Sequence, residues 1–136
     1  MTDGPITINN LLASYNADDG ACLDNGTYHV AGTPGLILTG ANTFSGNHAD
    51  GLTYGIWGTV TLYRITADDN GADGLIGASM GNVLITGGSM IHNGQDGWDL
   101  SVYMAGGTIT LRSVWAYGNG ALDENPGAGS VIKYRY

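Results

Sequence analysis

At 136 residues the chain is of a size for one domain, spanning 1–136, and no run is long and apolar enough to cross a membrane as a helix. Glycine is abundant (24) and proline scarce (3) without a Gly-X-Y period, which excludes collagen, while 43% apolar against 12% charged residues excludes a disordered chain. A net charge of −8, from twelve acids and four bases, argues against nucleic acid or an anionic membrane as partner, because both demand a basic patch.

The opening Met-Thr-Asp-Gly-Pro shows no basic or apolar leader pattern. Ile6 and Ile8 then read apolar-x-apolar, the period-2 signature of a strand with one buried face. Leu11 and Ala13 lead to a turn, Asn16-x-x-Asp19-Gly20, and Ala21-Cys22-Leu23 forms a second short strand. Cys22 is the single cysteine, so no internal disulfide can form. It is expected to face outward between Ala21 and Leu23, where an intermolecular disulfide stays an open alternative. Within Asp24 to Gly35 lie eight residues beyond the later period, a loop of the kind that solenoids place on one face. The second unit runs through Leu36-Ile37-Leu38, whose inward pair the spacing leaves open, to Phe44, Asn47-x-x-Asp50-Gly51 and Leu52-Thr53-Tyr54. The third carries Val60/Leu62, Ile65, Ala67, Asn70-x-x-Asp73-Gly74 and Leu75-Ile76-Gly77. The fourth carries Val83/Ile85, Met90, Asn93-x-x-Asp96-Gly97 and Trp98-Asp99-Leu100, with Trp98 in a core column. After three extra residues near Met104–Gly107 come Ile109/Leu111, Val114, Ala116 and a decayed copy at Asn119, where Leu122-Asp123 replaces Asp-Gly. Ser130–Tyr134 reads as the strand of one more coil, left open.

The asparagines stand 31, 23, 23 and 26 residues apart. None of these short strands can bury its own apolar face, but stacking equivalent strands in parallel buries a continuous core. The expected fold is therefore all-β: a right-handed parallel β-helix (β-solenoid) of about five coils of about 23 residues. Asn16, Asn47, Asn70 and Asn93 are expected to hydrogen-bond up the stack as a ladder. Gly20, Gly51, Gly74 and Gly97 are expected in the same turns, on the argument that Gly and Asn tolerate φ > 0 most cheaply. Both ends break off in mid-pattern, so the chain is expected to be a fragment of a longer repeat protein, with open ends that invite end-to-end stacking on itself or neighbouring coils.

Residues 6–25 (ITINNLLASYNADDGACLDN), 35–52 (GLILTGANTFSGNHADGL) and 58–75 (GTVTLYRITADDNGADGL) resemble right-handed parallel β-helix repeats of very large bacterial surface proteins, over roughly residues 5–120. The resemblance implies the pectate-lyase-like superfold, export to the cell surface and a modular structural or adhesive role. It does not imply an enzyme, since the same superfold hosts lyases, hydrolases, tailspikes and adhesins.

Several residues could carry chemistry. The column Asp19, Asp50, Asp73, Asp96 sets like charges about 5 Å apart; either a calcium ion relieves them, or each carboxylate bonds its own turn and no cofactor is needed. Asp68, Asp69 and His92 form the most catalytic-looking cluster; Asp69 and His92 share a column on neighbouring coils, as an acid–base or metal pair or as a solvated surface pair. His29 and His48 have no evident partners. The Gly-His-Gly and Arg-Ile-Lys tripeptides of polygalacturonase-like sites are missing, so no enzyme activity is expected. Trp115, Tyr63 and Tyr117 are expected to point outward near Arg112, as stacking surfaces for a polysaccharide or a contact for protein. The expected function is thus a non-catalytic extracellular structural or adhesive segment, with a carbohydrate-binding or polysaccharide-processing β-helix as the alternative.

Overall fold

The computed structural model describes residues 4–25 and 34–134. His29 and most of the eight-residue insertion lie outside the described residues. Among the described residues twelve strands follow one another: β1 (Ile6–Asn9), β2 (Ala21–Asp24), β3 (Pro34–Thr39), β4 (Asn42–Thr43), β5 (Leu52–Ile56), β6 (Thr59–Thr66), β7 (Leu75–Ser79), β8 (Val83–Ile91), β9 (Trp98–Val102), β10 (Thr108–Tyr117), β11 (Glu124–Pro126) and β12 (Ser130–Tyr134). They pair in parallel into a long sheet ordered β1-β3-β6-β8-β10-β12, with β4 also on β6, and a short sheet ordered β2-β5-β7-β9-β11. The chain alternates between the two sheets and climbs one rung per unit. This is a parallel β-solenoid of about four turns. That is slightly fewer than the expected count of about five coils.

The inward columns follow the period-2 pattern. In the long sheet Ile6, Leu36, Val60, Val83 and Ile109 are in register, as are Ile8, Leu38, Leu62, Ile85 and Leu111. In the short sheet Ala21, Leu52, Leu75 and Trp98 stack, and so do Leu23, Tyr54, Gly77 and Leu100. Tyr54 and Gly77 are matched in size: the Tyr54 ring fills the space that a Gly77 side chain would need. Trp98 is fully buried.

The inward pair of the second unit is Leu36 and Leu38, both fully buried, with Ile37 turned out. Leu38 pairs with Leu62 while Asn42 pairs with Ile65, so the second unit carries one more residue than the third between those points. Asn42 repairs the break. It is 1% exposed, its Oδ1 accepts from the Leu11 amide at 3.0 Å, and its Nδ2 donates to the Tyr63 carbonyl at 3.0 Å and the Thr39 carbonyl at 3.1 Å. One side chain thereby ties three rungs across a place where backbone pairing lapses. A buried amide with these partners avoids the roughly 1–3 kcal/mol penalty of an unmet polar group.

Candidate functional site

The corner between the two sheets holds two side-chain ladders of opposite direction. In the first, the backbone amide and Nδ2 of Asn16 both donate to Oδ1 of Asn47, each at 3.0 Å. Asn47 donates in the same way to Asn70, Asn70 to Asn93, and Asn93 to Asn119. The second Nδ2 hydrogen of Asn47 goes down to the Ala13 carbonyl, and that of Asn93 to the Ala67 carbonyl. The amides of Asn47 and Asn93 thus have both donors and both acceptor lone pairs engaged, which is full satisfaction for this side chain. In the second ladder the backbone amide of Asp50 donates to Oδ1 of Asp19, Asp73 to Asp50, Asp96 to Asp73, and Leu122 to Asp96, at 2.8–3.1 Å. Asn side chains reach toward the N-terminal rung and Asp side chains toward the C-terminal one.

Both ladders are closed at the C-terminal end by residues of the decayed repeat. Oδ1 of Asp123 accepts from the amide and Nδ2 of Asn119, taking the place of a further asparagine. Asn125 donates from Nδ2 to Oδ2 of Asp96 at 2.7 Å. The loss of Asp-Gly at this turn, seen in the sequence as decay, is the exchange that supplies the cap.

The turn glycines do a different job from the one expected. None of Gly20, Gly51, Gly74 and Gly97 and none of the ladder asparagines has a left-handed φ. The glycines are needed because the next rung crowds them: a Cβ on Gly74 would stand 2.6 Å from Nδ2 of Asn93 and 2.7 Å from the Ala67 carbonyl oxygen. Left-handed φ falls instead mainly in two other columns, Tyr15, Gly46, Asp69, His92 and Gly118, and Asn10, Gly40, Arg64, Gly87 and Ser113, with Gly58, Gly106 and Gly129 outside both. The sharp bends are therefore made just before the Asn and midway along the long strand, by residues without a common type.

The Asp column has its Oδ1 atoms committed to backbone amides. Oδ2 of Asp19 and of Asp50 accept from the Thr53 hydroxyl at 3.2 and 3.4 Å. Among the described residues no three His, Cys, Asp or Glu side chains are grouped to hold a metal ion. Burial, foremost, raises the pKa of the Asp73 carboxyl, and neighbouring carboxylates add to this against the Asp96 amide bond, which lowers it. Asp99 is raised by burial and then by Asp96.

Asp69 and His92 stand 3.7 Å apart, with side chains 72% and 60% exposed, so water screens the pair. Trp115 and Tyr117 are more than half exposed and Tyr63 37%. They do not converge. Thr86 separates Tyr63 from Arg112 in their column, the Arg112 guanidinium lies 5.6 Å from the Tyr134 ring centroid, and Tyr117 meets His92 edge-on at 6.1 Å. Cys22 is exposed and free.

One recess went unread in the sequence. It has a volume of about 200 Å³ on the outer side of the short sheet, and its rim holds Trp57, Met80, Tyr103 and Asp24. Buried Asn25 fixes the Trp57 backbone, accepting from its amide at 2.8 Å and donating to its carbonyl at 3.1 Å. The signal that would have found it is the repeat itself, since Trp57, Met80 and Tyr103 are 23 residues apart.

No protein-family model matches this chain, and the searches of curated proteins and of solved structures return no match.

Proposed function

We propose that this chain is a non-catalytic structural segment, a spacer with an adhesive role, of an extracellular bacterial surface protein built on a right-handed, pectate-lyase-like β-helix. The observation that carries the reading is the use made of the repeated motif. The Asn and Asp of each N-x-x-D-G turn bond the neighbouring rungs, and the Gly makes room for them. Selection that repeats such a motif is selection for stacking, and within it the Asn amides and the Asp Oδ1 atoms are taken up by neighbouring rungs. The same reading includes end-to-end stacking on itself or on neighbouring coils. Ile6, Ile8, Leu11 and Leu23 are half-buried where their equivalents higher in the stack are closed off, and β1 and β2 are edge strands. Open edges of this kind template further strands.

The test is incubation of the chain with neutral and acidic polysaccharides, scoring both retention and released product. Neither is expected. Released product would overturn the reading and direct attention to Asp69 and His92. Retention that Trp115→Ala abolishes would replace it with a glycan-binding role centred on that face.

A further inference from the structure

The outer side of the short sheet is recessed along its middle column. Asp24, Gly55, Ala78 and Ser101 are in register there, and the lack of a side chain at Gly55 and the single methyl of Ala78 leave the recess open. One wall is built by three residues in file. Ile56, Ser79 and Val102 pair inward, and the amides that follow continue the ladder, Met80 to the Ile56 carbonyl and Tyr103 to the Ser79 carbonyl, at 2.9 Å each. Trp57, Met80 and Tyr103 therefore stand on successive rungs, with Trp57 36% and Tyr103 61% exposed. Two rungs separate the aromatic residues by about 10 Å. Both aromatic residues border the same recess, with Met80 on the rung between them, and a ring attracts a positive charge over roughly 6 Å.

Charge is segregated in the same sense. The described bases, Arg64, Arg112 and Lys133, all belong to the long sheet, in β6, β10 and β12. On the outer side of the short sheet stand Asp24, which lines the recess, and Asp99 on the far side of Ala78. The floor of the recess, Gly55, Ile56, Ala78 and Met80, offers no side-chain hydrogen-bonding group, and its polar side chains are confined to Asp24, Ser79 (which donates to the Gly81 carbonyl), Trp57 and Tyr103. An alkylated ammonium group asks for aromatic rings, an apolar floor and a negative charge, and the lining holds Trp57 and Tyr103, Ile56 and Met80, and Asp24.

We propose that this recess binds a small organic cation of the alkylammonium class, such as a choline or methylated-amine head group, with Trp57 and Tyr103 as its walls, Met80 between them and Asp24 as the counter-charge. The site goes beyond the structural role proposed above and does not depend on it.

The experiment is a titration of the full chain with choline chloride, followed by the three tryptophan indole N–H signals in NMR spectra. Sodium chloride at equal ionic strength is the blank, and 3,3-dimethylbutan-1-ol the uncharged analogue of choline. The Trp57 signal is expected to move saturably with choline alone. Tyr103→Ala and Trp57→Phe are each expected to weaken binding by about fivefold. For Trp57→Phe the readout is the choline methyl line width, and an unmoved Trp98 signal shows that the core is intact. Absence of a saturable shift, an equal response to the uncharged analogue, or a response confined to Trp115 would each overturn the proposal.

Discussion

At the scale of single residues, two kinds of glycine do two different jobs, and they can be separated by the same substitution. Gly87 has φ 70°, yet a Cβ there would meet nothing nearer than Cγ of Arg64 at 3.7 Å. Its cost is conformational, so Gly87→Ala is expected to destabilise by about 1–2 kcal/mol. Gly74 has no left-handed φ, and its Cβ would drive into the Asn ladder. Gly74→Ala is expected to cost about 3 kcal/mol or more, because it combines overpacking with broken buried hydrogen bonds. Denaturant melts of the two variants decide the matter, and equal losses would contradict it. The position of the second kind of glycine was legible in the repeat, but its reason was not. A sequence shows that glycine recurs; only the distance to the next rung shows that the recurrence is about room rather than about φ.

Among the elements, the corner ladders set the response to pH and to metal. Asp73 and Asp99 have folded pKa values above the ordinary 3.8. Between the unfolded and the folded value the native state binds more protons than the unfolded one, so stability rises as pH falls through that window and the gain is complete below it. The contribution of these two groups is therefore an increase in melting temperature on mild acidification, which reverts in Asp99→Asn for its share. A melt of the wild type and of that variant across mildly acidic pH checks the sign. Chelator is expected to leave the melting temperature unmoved, since backbone amides already occupy the Oδ1 atoms of the Asp column; a fall would mean that a cation stabilises the stack. The strands themselves were legible wherever apolar residues alternated over one rung. The second unit was not, because its extra residue is absorbed by the buried Asn42 amide, and a bulge repaired by a polar side chain leaves no mark in an apolar pattern.

For the whole molecule, stacking makes stability a sum over neighbours, so it falls toward the ends. The inward residues of β6 and β8 are closed off on both sides, whereas those of β1 are half-buried and most of β12 is exposed. Amide hydrogen exchange should be slowest in β6 and β8 and fastest in β1 and β12; uniform protection along the rod would show the solenoid to be one cooperative unit instead. The sequence by itself determined the repeat, the inward columns and the parallel stack, because a period of 2 within a strand and of 23 between turns are one-dimensional signals that survive without coordinates. Tertiary structure alone decided which residues bend left-handed, how the decayed fifth turn becomes a cap, and that Tyr63, Trp115 and Arg112 do not converge. Those outcomes depend on how neighbouring rungs approach one another across the stack, a distance that no spacing along the chain records.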